Sequence, residues 1–255
     1  MTIERNERES YILDVLAREG SLSVSALAPE LGVSEVTVRS MLRALEERGM
    51  LSRTRGGAEA SSIRNVLERG REHAEAKGLI AAAGAGLVTD DDRVMIEAGT
   101  TTSLVVPQLS GRKGVQIVTN STLVFAHARL NPALSITLTG GVFHRETESL
   151  VGPAAQRLVR EFNVRLAFVG TDGFSVERGM TTQFSEGAQM LTAMHERAEQ
   201  TWLLADSSKF GRSGFVSVLP LDRLAGIITD SRIADEALTQ LRDCVPQVRV
   251  VPERQ

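Results

Sequence analysis

The stretch from residue 20 to residue 57 constrains this chain more than any other. Ser23 and Gly32 bracket one short helical span, and Ser34 opens a second that is expected to stop at Gly49. A Ser at the first cap accepts from the free N–H groups of the opening turn, and a Gly just past the end permits the left-handed residue that stops a helix. Within the second span Val38, Leu42 and Leu45 recur at helical spacing, so one apolar stripe turns inward. The candidate outward residues are Ser34, Glu35, Thr37, Arg39, Ser40 and Arg43. Two helices crossing over a tight turn, the second displaying polar and Arg side chains, is how a helix is presented to the DNA major groove. Purely structural domains use the same packing, and Arg on a helix face is ordinarily just solvated. Residues 50–57 weigh against that plainer reading. They have the pattern of a strand and a turn carrying Arg53 and Arg55, a wing able to reach phosphate or the minor groove.

The total charge gives no such hint. With 29 Lys and Arg against 32 Asp and Glu the net charge is −3, so any steering toward DNA comes from the local patch of Arg39, Arg43, Arg48, Arg53 and Arg55. A length of 255 residues with 42% hydrophobic and 4% aromatic residues suits a globular protein with a sizeable core. No apolar run reaches membrane-spanning length and the first residues lack an apolar signal stretch. The lone Cys244 excludes a disulfide framework and a Cys-based metal site, which points to the cytoplasm.

After Ala58 the texture changes. Residues 59–76 read as a partly helical linker, polar and short of large apolar side chains, between a DNA-binding domain at 1–58 and a second domain at 77–255. In the second domain compact apolar runs at 93–96, 115–118, 136–138, 166–169, 202–205 and 227–228 alternate with helical spans at 77–87, 123–130, 154–162, 187–199 and 234–241. That alternation predicts an α/β fold, Rossmann-like, with a mainly parallel sheet covered on both faces. Pro107 would fall inside a helix only a few residues old, so a short or kinked helix is expected there.

In such sheets ligands bind beyond the carboxyl ends of the strands. The first of these ends carries Gly99, Thr100, Thr101 and Thr102, which suit a phosphate cradle and equally a plain helix start. Asn120, the Gly140-Gly141 pair, Asp172 and Lys209 follow the next strands. Each turn alone is ordinary strand-end chemistry. Together they offer the inventory a phosphorylated sugar needs, with backbone N–H groups and Lys209 for the phosphate and Asn120 and Asp172 for hydroxyls. Glu97 can touch a ligand or simply end its strand. His73, His127, His144 and His195 have no metal-ligand spacing, and Asp90-Asp91-Asp92 reads as a solvated turn before a cation site.

The two halves together resemble the DeoR family of bacterial transcriptional regulators. The N-terminal likeness rests on Ile12-Leu13, Leu16, Gly20, Leu27-Ala28, Leu31-Gly32-Val33-Ser34, Thr37-Val38-Arg39, Leu45-Glu46, Gly49 and Gly56-Gly57-Ala58. The C-terminal likeness rests on residues 98–102, 118–121, 140–141, 151–153, 167–173 and 204–210. The family pattern has Arg-Asp where this chain has Ser40-Met41 and His where it has Arg55, so no operator sequence carries over. Near Glu186 the acidic position is shifted and a Lys is missing. The resemblance implies a winged helix–turn–helix followed by a sensor domain similar in fold to ribose-5-phosphate isomerase and CoA transferases. It further implies a repressor of carbohydrate-metabolism genes, without catalytic residues or cofactor. Its partners would be a double-stranded DNA operator, a phosphorylated sugar held by the strand-end residues and Glu186, and a second copy of itself in a dimer or tetramer. The competing reading is a sugar-phosphate isomerase with a DNA-binding appendage, in which Lys209, Asp172 and Glu186 supply acid–base chemistry.

Overall fold

The computed structural model describes residues 5–19, 21–47, 50–59, 66 and 69–252. Gly20, Arg48, Gly49 and linker residues 60–65, 67 and 68 fall outside the described residues. The chain divides into two compact units, residues 1–71 and 72–255.

In the first unit α1 spans Arg5–Glu19, α2 Val24–Leu31 and α3 Glu35–Glu47. Three short strands accompany them: β1 (Ser21–Ser23), β2 (Ser52–Thr54) and β3 (Gly57–Glu59), arranged β1-β3-β2 and antiparallel throughout. The caps behave as their residue types demand. The Ser23 hydroxyl accepts from Ala26 N at 3.4 Å, and Gly32 sits in the left-handed region at φ 63°, its N–H turned back onto Ala28 and Pro29. Ser34 accepts from Thr37 N at 3.2 Å and so opens α3. Ile12 and Leu16 of α1, Leu27 and Leu31 of α2, and Val38, Met41, Leu42 and Leu45 of α3 close one small core. Leu51 and Ala58 seal it from the wing side. Gly57 leaves no room for a side chain, because a Cβ there would lie 1.9 Å from the Leu22 carbonyl oxygen. That close approach is what lets β1 join the wing.

The second unit is built on seven parallel strands in the order β15-β14-β12-β9-β4-β5-β6. They are β4 (Arg93–Ile96), β5 (Gln116–Thr119), β6 (Ser135–Leu138), β9 (Val164–Val169), β12 (Ala198–Leu204), β14 (Gly226–Asp230) and β15 (Val248–Val251). Side chains of a strand alternate between faces, and here both faces are apolar. Val94, Ile96, Ile117, Leu166, Phe168, Trp202 and Leu204 meet α4 (Ala74–Ala85), the 3₁₀ helix Thr102–Leu109 and α5 (Thr122–Ala128). On the opposite face Met95, Val118 and Ala167 meet α6 (Pro153–Arg160) and α7 (Ser185–Glu196), while Val169, Leu203 and Ile227 meet α8 (Asp235–Cys244). Each such large side chain contributes about 1.5–3 kcal/mol on burial. This is the doubly covered α/β layer that the apolar runs predict, with the helix carrying Pro107 tightened to 3₁₀ throughout.

The edge strand β15 lay beyond the sequence pattern, which has no run at 248–251, and so did two smaller pieces. One is the hairpin of β7 (Val142–His144) and β8 (Ser149–Val151). The other is an antiparallel sheet β10-β11-β13, built from Gly173–Ser175, Gly179–Thr182 and Val216–Leu219.

Candidate nucleic-acid interface and effector site

The outward face of α3 carries the residues expected of it. Glu35, Thr37, Arg39, Ser40 and Arg43 are all exposed, as is Ser34 before them. They are not all idle. Arg39 Nη2 lies 3.2 Å from Glu35 Oε2 one turn earlier, and the Thr37 and Ser34 hydroxyls are 3.0 Å apart. In the wing, Arg53 is tied to Glu46 of α3 twice, by its backbone N–H at 3.0 Å and by Nε at 3.0 Å. Arg55 is exposed at the turn, where Gly56 holds φ 99° and its carbonyl accepts from Val24 N at 2.8 Å. The wing is thereby fixed to the start of α2. Of the five arginines in the local patch, Arg39 and Arg53 are paired with Glu35 and Glu46, and Arg48 lies outside the described residues.

In the second unit β6, β5, β4, β9 and β12 are neighbours and parallel, so the loops after them leave one edge of the sheet. What occupies those loops is largely internal stapling. Asn120 is buried, its Oδ1 accepting from Ala98 N at 3.0 Å and its Nδ2 donating to Leu150 O at 3.4 Å. It joins the loops after β4 and β5 to β8. Thr102 is fully buried and donates to the carbonyls of Glu97 and Gly99, and Thr101 is buried beside it. Gly99 and Thr100 stay half-buried. The Glu97 carboxylate accepts from Gly170 N at 3.2 Å, linking β4 to the β9 loop. Asp172 Oδ2 accepts from the Thr182 hydroxyl at 3.0 Å and Gln183 N at 2.9 Å. Gly140 is open, whereas a Cβ on Gly141 would lie 2.5 Å from the Val151 carbonyl oxygen.

Glu186 is exposed in the first turn of α7, where its own backbone N–H and then the Ser185 hydroxyl hold its carboxyl below the usual range. His144 stacks flat on Phe184 with ring centroids 4.4 Å apart.

Lys209 has different company. It lines a cleft of about 320 Å³ with Glu72, His73, Lys77, Asp206, Ser208 and Arg212. Thr100, Asn120 and Asp172 are not among the walls of that cleft. The Asp230 carboxylate takes Ser207 N at 2.7 Å, the Ser207 hydroxyl at 3.0 Å and Arg232 Nε at 2.8 Å, which turns the Lys209 loop toward the start of α4. Burial by itself would raise the Asp230 carboxyl, but Arg232 and Ser207 hold it below its ordinary value. The Asp172 and Lys209 loops still touch through Phe174 and Phe210, packed edge to face at 5.5 Å. Sequence reasoning missed Lys77, which is 3% exposed, and Arg212. Lys77 looked like an ordinary polar residue at the head of a helix, and only the packing of a distant loop shows it entering a cleft.

The remaining candidates are structural. Among the described residues no cluster of His, Cys, Asp and Glu could hold a metal. Asp92 is buried against Arg165, and His195 meets the Thr201 hydroxyl at 2.9 Å, burial pushing its imidazole below the usual range.

Comparison with known families decides what these two units are. The DeoR-like helix-turn-helix domain matches residues 8–64 and the DeoR C terminal sensor domain matches residues 72–231. The chain belongs to the DeoR family of transcriptional regulators. This DeoR-family chain is 33% identical to the HTH-type transcriptional regulator GlpR of Haloferax volcanii over 89% of its length and 90% of that protein's. It is 32% identical to the lactose phosphotransferase system repressor of Lactococcus lactis subsp. lactis, over 93% and 96% respectively. A solved structure of ribose 5-phosphate isomerase from Plasmodium falciparum aligns at 14% identity with a TM-score of 0.39, covering 55% of this chain and 54% of that one. So slight a likeness says nothing about activity. As a DeoR-family member the protein is a DNA-binding transcriptional regulator, and the isomerase reading of its second unit is set aside.

Proposed function

We propose that this regulator represses carbohydrate-metabolism genes and that a phosphorylated sugar, bound in the sensor domain, sets its affinity for the operator. The observation that carries this reading is the Lys209 cleft. Lys77, Lys209 and Arg212 stand there with His73 against the two carboxylates of Glu72 and Asp206. Three cationic side chains against two carboxylates suit that lining to an added anion, and a phosphate is such an anion. Thr100, Gly140 and Glu186, half-buried or exposed, are the sugar-facing candidates, with Gly99, Thr101, Thr102, Asn120, Gly141 and Asp172 shaping the loops that present them. The name of the lactose phosphotransferase system repressor points the same way.

For DNA, Ser34, Glu35, Thr37, Arg39, Ser40, Arg43, Arg53 and Arg55 form the proposed contact set. The protein acts in the cytoplasm as a dimer or tetramer, because two recognition helices must match half-sites roughly 34 Å apart. An effector that binds two arrangements of the subunits unequally shifts that spacing and hence operator affinity. A thermal-shift panel of pentose and hexose phosphates tests the reading. A cognate ligand at about a hundred times its Kd stabilises the protein by about 2.7 kcal/mol, and Lys209→Ala removes that gain. A panel in which no member raises the melting temperature overturns it.

A further inference from the structure

Val36 stands out in the first unit. It is 76% exposed, the most open large apolar side chain among the described residues of that unit. Its place on α3 is central to the outward face. At 3.6 residues per turn Val36 lies half a turn out of phase with Leu45, which is fully buried. Ser40 and Arg43, one and two turns further on, share its side, with Arg39 beside them. The neighbours in the first turn are engaged elsewhere, Glu35 with Arg39 at 3.2 Å and Thr37 with Ser34 at 3.0 Å. Val36 therefore projects two methyl groups from the middle of the face that meets DNA. A β-branched side chain in a helix is nearly confined to one χ1 rotamer, so those methyls are already positioned.

We propose that Val36 is a specificity-determining contact that reads the 5-methyl group of a thymine in the major groove. The N-terminal residues of a recognition helix are those that meet base edges. Valine neither donates nor accepts a hydrogen bond. Of the features the four bases present in the major groove, the thymine methyl is the one it can favour. The Arg and Ser residues around it supply phosphate and polar base contacts but cannot sense a methyl group. A polar base edge placed against Val36 would lose its water without replacement, so the same side chain disfavours cytosine and adenine at that position.

The test uses the full-length protein and a random duplex library. Bound duplexes are selected with the wild type, and each thymine of the enriched site is then replaced in turn by 2′-deoxyuridine, which deletes only the 5-methyl group. At one thymine position the wild type is expected to lose about fourfold in affinity, the equivalent of one buried methyl at about 0.8 kcal/mol. Val36→Ala is expected to ignore that replacement while responding like wild type at every other thymine, and Val36→Ile is expected to keep the response. Thermal melting of both variants checks that the fold is unchanged. If no deoxyuridine replacement weakens the wild type, or if Val36→Ala loses as much as wild type at each position, the assignment fails. That failure would leave the effector reading untouched, since no sugar phosphate is present.

Discussion

Asp92 shows what a single buried carboxylate does in this protein. Its neighbours Asp90 and Asp91 lie in the same turn, Asp90 accepting from Lys113 N at 3.1 Å, yet only Asp92 is buried. Its oxygens take Arg165 Nε at 2.6 Å, a second Arg165 nitrogen, Thr89 N at 2.8 Å and the Thr89 hydroxyl at 3.1 Å. The hydrogen bond from Arg165 is the main cause that holds the Asp92 carboxyl below its ordinary value, against the cost of burial. A lowered folded-state pKa stabilises the fold above the unfolded value of about 3.9 and is lost as pH falls through the folded one. Arg165→Met strands a buried charge and is expected to cost about 2 kcal/mol near neutral pH, less than a fully buried pair because Arg165 is partly exposed. In urea melts the gap between wild type and variant should narrow as pH is taken below about 4. A gap independent of pH would show that Arg165 matters only through packing. A second expectation at this scale concerns Glu35. On the proposed contact set, its bridge to Arg39 competes with DNA phosphate and adds a like charge, whereas a Gln there keeps a polar side chain for a base edge. Glu35→Gln should therefore tighten DNA binding about fivefold at low salt, read by fluorescence anisotropy on a selected duplex.

At the scale of elements, what the sequence disclosed depended on how local the cause was. The two helices of the DNA reader announce themselves through Ser23, Gly32 and Ser34, because caps and the 3.6-residue period act within a turn. The parallel strands show as apolar runs since both their faces are buried, Met95 on one side and Val94 with Ile96 on the other. Three-residue strands have no such signature. β10 exists because β11 pairs with it and because Gly173 lets the Arg212 carbonyl approach, 2.4 Å from where a Cβ would stand. The candidate site was partly legible for the same reason. Gly, Thr and Asn end strands whether they hold ligand or staple loops, so the stapling role of Asn120 emerged only from its partners at Ala98 and Leu150. The wing offers a test of element packing. Gly57→Val puts a branched side chain against the Leu22 carbonyl and should destabilise the first unit by about 3 kcal/mol. Gel shift would show lost DNA binding, and calorimetry an unaltered transition for the second unit. Arg43→Ala should lower the slope of log K against log salt by about 0.9 if Arg43 contacts phosphate, whereas an unchanged slope would place it on a base edge.

For the molecule as a whole, the proposed DNA contact set and the Lys209 cleft lie in separate compact units, and any communication between them is a free energy of coupling. On the proposed reading, an effector that changes operator affinity by some factor must have its own affinity changed by the operator through that same factor. Two titrations check this. One measures operator Kd with and without saturating sugar phosphate, and the other measures sugar-phosphate Kd with and without saturating operator. The two ratios should agree, in the range of 5- to 150-fold typical of allosteric proteins. Lys209→Ala should leave operator affinity without effector at its wild-type value, because the residue is remote from α3 in the chain and belongs to the other unit. The same variant should bring both ratios to one, since a ligand that no longer binds cannot distinguish two states. Loss of operator binding by Lys209→Ala with an unchanged melting temperature would contradict the division of labour itself. It would mean that the cation cluster of Lys77, Lys209 and Arg212 holds DNA, so that the anion recognised in the second unit is the phosphate of the duplex.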